Sequence, residues 1–190
     1  MKPLKYTTFL LSAAMLCTAP VAQAADNASG ELQIRGTAPR VCRMPDPTAV
    51  NSGNASVQNM TITVNDLVNP QDSTIQAWQA SLNYPGVMCN YSATLSLRSL
   101  NGGMKNVGPA VQPVGGTFVT QVNYTATAKW GNLADLILDT GANGTDPVSL
   151  QSSGPNRADL LITLQTPAST TPLVEGQYQD TLIIKVGPSV

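Results

Sequence analysis

The chain has 190 residues, 10 Lys+Arg against 11 Asp+Glu, no histidine, and only 11% charged residues. That length suits one ordinary domain with a tail, and the near-neutral balance offers neither a basic footprint for nucleic acid nor a polybasic arm for an anionic membrane. Without histidine the commonest general acid–base, the usual partner of a Ser or Cys nucleophile and the commonest metal ligand are missing, so the composition points away from an enzyme.

Residues 1–24 read as a secretory signal. Lys2 and Lys5 supply the positive start, residues 9–17 form a short apolar run, and Ala22-Gln23-Ala24 is a small-residue cleavage site. The apolar run is too short to span a bilayer, so no direct membrane insertion is expected. Cys17 has Leu16 before it, where lipoprotein signals carry a small residue, so ordinary cleavage is favoured. Removing 24 residues leaves 166, with 8 Lys+Arg against 11 Asp+Glu, a net charge of −3.

Residues 25–38 follow as an N-terminal extension. Ala28, Gly30, Leu32, Ile34, Gly36 and Ala38 are apolar or glycine, while Ser29, Glu31, Gln33, Arg35 and Thr37 are polar. This period-2 alternation is that of a strand with no hairpin partner nearby. It leaves two readings open: a segment donated to another molecule, or the domain's own first strand or a disordered leader.

Residues 39–190 carry the domain. Met60, Ile62 and Val64 alternate with polar residues. In Ser73–Tyr84, Ile75, Trp78 and Leu82 have helical spacing, yet Trp78, Ala80, Leu82 and Tyr84 also share one strand face; the strand is favoured because every neighbour is one. Ala93, Leu95 and Leu97 alternate next, then a long face from Phe118 to Trp130 with Thr120 as the exception. Leu160, Ile162 and Leu164 give another face, and Tyr178, Leu182, Ile184 and Val186 the last. Clusters such as Asn101-Gly102-Gly103, Val114-Gly115-Gly116 and Thr140-Gly141-Ala142-Asn143-Gly144 separate them as turns. The expectation is an all-β, antiparallel sandwich. Only four residues follow Val186, too few to turn and add a closing strand. An alternating strand at one end and a vacancy beside the last strand together suggest head-to-tail pairing by strand addition.

After cleavage two cysteines remain, Cys42 and Cys89. In an exported protein an even pair suggests a disulfide, worth about 4 kcal/mol in the chain-entropy model; two buried free thiols are the alternative. Other chemistry is sparse. Asp135 and Asp139 would lie about 13 Å apart on a strand, too far for a glycosidase pair. Asp66 and Asp72, near Asn65 and Asn69, match no calcium-loop spacing. Asn27, Asn54, Asn59, Asn90, Asn123 and Asn143 open glycosylation-type triplets, which a chain rich in Asn, Ser and Thr produces by coincidence. Trp78, Tyr84, Tyr91 and Trp130 could form a sugar platform, although tryptophan in a sandwich is more commonly core. No catalytic residue, metal site or cofactor is assigned.

Gly30-Glu31-Leu32-Gln33-Ile34-Arg35-Gly36-Thr37-Ala38, with Cys42 shortly after, resembles the alternating N-terminal strand of chaperone–usher pilins, the subunits of bacterial fimbriae. Gly176-Gln177-Tyr178-Gln179-Asp180-Thr181-Leu182 is similar to the terminal strand of the spore-coat-U-like archaic pilins. The chain departs from many pilins in ending Gly187-Pro188-Ser189-Val190 without a tyrosine near its end. The resemblance implies an immunoglobulin-like sandwich lacking its last strand, with a Cys42–Cys89 disulfide. A periplasmic chaperone lends the missing strand, and at an outer-membrane usher the next subunit's extension replaces it. Ala28, Gly30, Leu32 and Ile34 would then be the donor positions, and Tyr178, Leu182, Ile184 and Val186 would line the acceptor groove. The implied partners are identical or related pilin subunits, the chaperone, the usher and a host or surface receptor, with no nucleic acid. The implied location is the cell surface, reached through the periplasm, and the role adhesion or biofilm formation. With 166 residues there is room for one pilin domain and none for a second adhesin domain. A monomeric secreted β-sandwich binding carbohydrate or protein is the alternative.

Overall fold

A computed structural model describes residues 30–108 and 117–188. The secretory signal at residues 1–24, the donor position Ala28 and the Val114-Gly115-Gly116 turn lie outside the described residues.

The strands are β1 (Cys42–Arg43), β2 (Thr48–Gly53), β3 (Ala55–Gln58), β4 (Thr61–Val64), β5 (Trp78–Cys89), β6 (Thr94–Ser99) and β7 (Met104–Asn106). They continue as β8 (Gln121–Val122), β9 (Thr125–Trp130), β10 (Leu136–Asp139), β11 (Val148–Gln151), β12 (Asn156–Thr166), β13 (Tyr178–Gln179) and β14 (Leu182–Gly187). One short helix, α1 (Thr140–Asn143), stands between β10 and β11. All ladders between these strands are antiparallel. The fold is an all-β sandwich. Among the described residues no helix is long and apolar enough to cross a membrane.

The larger sheet has the order β1-β5-β12-β9-β10, with β2 also paired to β5. Opposite it lies β11-β6-β14, while β13-β7-β8 and the β3–β4 hairpin complete the structure. Register aligns the inner residues in rows across the larger sheet: Leu82–Ile162–Ala128–Leu136, Ala80–Leu164–Ala126–Leu138, and Tyr84–Leu160–Trp130. Each long row sets alanine beside larger side chains, and Leu95 and Leu97 of β6 pack in the same core cluster. Every residue in these rows is buried, and Trp130 donates its Nε1–H to the Val87 carbonyl at 3.3 Å.

The sequence periods match this arrangement with local exceptions. Residues 73–84 are not helical; Trp78 opens the long strand β5, and Trp78, Ala80, Leu82 and Tyr84 all point inward. The 117–130 segment is two strands, β8 and β9, broken at Asn123-Tyr124. Phe118 falls before β8 and is 42% exposed, so its even position does not put it in the core. Met60 is also exposed, because it sits in the β3–β4 turn and not on a strand face. Trp78, Tyr84 and Trp130 are buried and Tyr91 packs half-buried against the core, so the four do not form an exposed aromatic platform.

Cys42 and Cys89 face each other across the β1–β5 ladder and form a disulfide, closing a sequence separation of 47. It fastens a two-residue strand that pairs with β5 at two ladder positions.

Candidate functional site

The sandwich is closed along one flank and open along the other. On the closed flank, β10 leads through α1 into β11, carrying the chain from the larger sheet to the smaller one. Asp139 caps this helix, accepting from Gly141 N at 2.9 Å, while Asn143 Oδ1 accepts from Asp139 N at 3.0 Å. The Thr140 hydroxyl donates to Tyr124 O and accepts from Tyr124 N, so the corner is tied to the chain between β8 and β9.

On the open flank nothing comparable joins the sheets among the described residues. Among the described residues β14 pairs with β6 on one side and β13 with β7, neither has a second neighbour, and β4 pairs with β3 alone. Between these free edges runs a cleft of about 940 Å³. Its first wall is Met60–Val64 and its second is Gly176–Leu182 with Ile184. Trp78, Leu82, Tyr84, Tyr124, Ile162 and Leu164 form its floor.

Each wall is fixed by local chemistry. Asn54 holds the base of the β3–β4 hairpin: its Nδ2 donates to Asp66 O at 2.6 Å, and its Oδ1 accepts from Asp66 N at 3.1 Å. The hairpin turns through Asn59 and Met60, at φ of 48° and 62°. Positive φ at both central residues matches the twist of a two-residue hairpin. Asparagine tolerates it easily and methionine does not, at a cost of roughly 1–2 kcal/mol. Met60 nonetheless occupies that position, and it lines the cleft.

The second wall bends at Asp180-Thr181, between β13 and β14. Asp180 Oδ2 accepts from Ser99 Oγ at 2.5 Å and Tyr124 OH at 2.7 Å, and Oδ1 accepts from Asn101 N at 2.9 Å and Thr181 N at 2.7 Å. One carboxylate thus joins the last strand, the turn after β6 and the cleft floor. Burial, then the bond to Asp180 and its negative charge, push the Tyr124 phenol well above the ordinary tyrosine range. Burial also raises Tyr84 and Tyr178, the latter donating its hydroxyl to Val174 O at 2.7 Å. At Gly176 the backbone takes φ +155° against the Asn106 side chain, leaving no room for a Cβ.

Of the expected groove residues, Tyr178, Leu182 and Ile184 line the cleft. Val186 packs half-buried against the core at the cleft's end, where its carbonyl lies 3.7 Å from Cys42 Sγ. Of the expected donor positions, Gly30, Leu32 and Ile34 belong to an exposed segment, 30–37, without secondary structure; Leu32 is 85% and Ile34 88% exposed. That segment belongs to a separate unit from the sandwich, which begins at Ala38.

The cleft's first wall and floor carry no distinguishing signal in the sequence. Thr61–Val64 reads as one strand among many, and Trp78, Tyr124 and Ile162 read as plain core. Asp180 did carry a signal: it is the one charged residue among the even, inward positions from 178 to 186. Among the described residues no three Cys, Asp or Glu side chains are grouped to hold a metal ion. Trp78 Nε1, in the cleft floor, is a buried donor without an acceptor among the described residues. No protein-family model matches the chain, and no curated protein matches it.

Proposed function

We propose that this chain is a structural subunit of a surface pilus, joined to its neighbours by strand donation along a chaperone–usher route. One observation carries the reading: a cleft with an apolar floor, bounded by two strand edges that have no ladder partner among the described residues. An inserted strand would satisfy backbone groups on both edges and bury alternate side chains between the sheets. The segment holding Gly30, Leu32 and Ile34 supports the reading from the other side. It alternates, and it holds two large apolar side chains in solvent, which insertion into a neighbour's cleft would bury. Fully burying Leu32 and Ile34 would contribute about 1.5–3 kcal/mol each.

On this proposal the immunoglobulin-like sandwich is completed by a neighbour's residues 28–34. Before assembly a periplasmic chaperone fills the same cleft, and an outer-membrane usher exchanges the two. The product is a cell-surface fibre that serves adhesion or biofilm formation. Expression with and without a cognate chaperone tests this. The chain should be recovered as a one-to-one complex with the chaperone and should polymerise or degrade without it. Deleting residues 25–36 should abolish polymerisation and leave chaperone binding intact. A stable monomer, indifferent to that deletion, would overturn the proposal.

A further inference from the structure

β1 is short, yet the chain before it is firmly held. Asn90 N donates to Val41 O at 3.0 Å, Val41 N donates to Asn90 Oδ1 at 2.8 Å, and Asn90 Nδ2 donates to Pro39 O at 2.8 Å. β5 ends at Cys89, but the Asn90 side-chain amide presents a donor and an acceptor as a peptide group would. It extends the β1–β5 ladder after the main chain has turned away. Arg40 adds a contact over the Tyr91 ring, 5.4 Å from its centroid. Pro39 fixes its own φ and restricts Ala38 to extended conformations. Residues 39–41 are therefore a stiff lead, continuing β1 outward at the end of the sandwich where Cys42 meets Val186.

We propose that this Asn90 clamp commits the N-terminal segment to a neighbouring molecule by denying it the slack to close its own cleft. The inference rests on the strand-donation reading above. Its physical content is reach. At about 3.3 Å per residue, Pro39 lies about 10 Å outside the level of Val186. To run antiparallel to β14, the segment would need Ile34 near Tyr178, about 26 Å further on. The five residues from Ile34 to Pro39 span at most about 18 Å, so this insertion is out of reach. Parallel insertion with Ile34 opposite Ile184 requires about 17 Å, which consumes the full length and leaves nothing for the reversal. With the side-chain bonds released, the chain is held only from Val41, by Asn90 N, and the seven residues from Ile34 to Val41 span up to about 25 Å for a separation of about 10 Å. The effective concentration of the chain's own strand then rises steeply, and self-closure competes with donation.

The test uses the full exported chain, purified with its chaperone and then released from it. Asn90→Ala removes both side-chain bonds, and Asn90→Asp replaces the donor to Pro39 O with an acceptor. Wild type should polymerise. Both variants should yield at least tenfold more monomer, and that monomer should refuse an added peptide of residues 28–38, which is the mark of an occupied cleft. A second variant leaves Asn90 untouched and inserts six Gly/Ser residues between Thr37 and Ala38, restoring slack directly; it too should close on itself. If wild type polymerises and the insertion variant and any folded Asn90 variant polymerise equally well, the clamp proposal is overturned while strand donation survives. If wild type never polymerises and does not bind the peptide, strand donation itself fails and the clamp proposal falls with it.

Discussion

The two flanks of the sandwich are built from similar residues and end differently. Along one, β10, α1 and β11 carry the chain between sheets, and Leu136 and Leu138 are sealed beneath them. Along the other, β14 and β4 present free edges, and Leu182, Ile184 and Val186 stay half-buried despite being as apolar as their counterparts. The difference lies in what covers the strand, not in the strand's composition. A period-2 pattern reports that a face is destined for burial; it does not report which molecule will bury it.

Breaking the closed flank should cost the most. Leu138 is fully buried, so Leu138→Ala should destabilise the isolated chain by about 2–5 kcal/mol in denaturant unfolding. Next is the bend in the open flank. Asp180→Ala leaves the Ser99, Tyr124 and Asn101 donors without their acceptor, an expected loss of about 1–3 kcal/mol by the same measurement. Ile184→Ala should cost only about 1 kcal/mol in the isolated chain, since its side chain is half-exposed. The same change should cost clearly more once a peptide of residues 28–38 is bound, and equal losses in the two states would mean that the peptide does not cover Ile184. Leu32→Ser with Ile34→Ser should sharpen the contrast further. The stability of the isolated chain should stay within about 0.5 kcal/mol, while assembly is lost in light scattering.

Alkaline pH probes the cleft floor. Tyr124, Tyr84 and Tyr178 all have raised pKa values in the folded chain. The folded state therefore retains protons that the unfolded state releases. Stability should hold below the ordinary tyrosine pKa of about 10 and fall as pH rises from there towards the folded values. Tyr124→Phe should remove the largest part of that fall, measured as the midpoint of urea unfolding against pH. An unchanged slope would show that Tyr124 is not the group responsible.

Much of both main sheets was legible in advance. β6, β9 and the 160–166 part of β12 alternate strictly, and β5 does so apart from buried Ser81 and the exposed Pro85-Gly86 step, because their inner faces are covered within the chain. Legibility failed where side chains do a backbone's work. Asn54 and Asn90 open glycosylation-type triplets and looked like coincidence; in the structure each supplies both halves of a peptide-like pairing, which depends on partners 12 and 51 residues distant. The β3–β4 turn was hidden for a related reason. Its central residues are Asn59 and Met60 without a glycine, so no turn signature marks the position.

The placement of β14 also sets an order of events. The closed flank joins strands that are near neighbours in the chain, from β9 to β11, and can assemble early at little cost in loop entropy. The walls of the cleft, β4 and β13–β14, stand more than a hundred residues apart, and β14 must find β6 across most of the domain. Of the two walls, β13–β14 emerges the later during synthesis. Until then the floor residues Trp78, Leu82 and Ile162 are covered from one side only. The docking of β14 is thus the step most open to mispairing, and pulse-labelling by hydrogen exchange should find β14 protected after β5, β9 and β12.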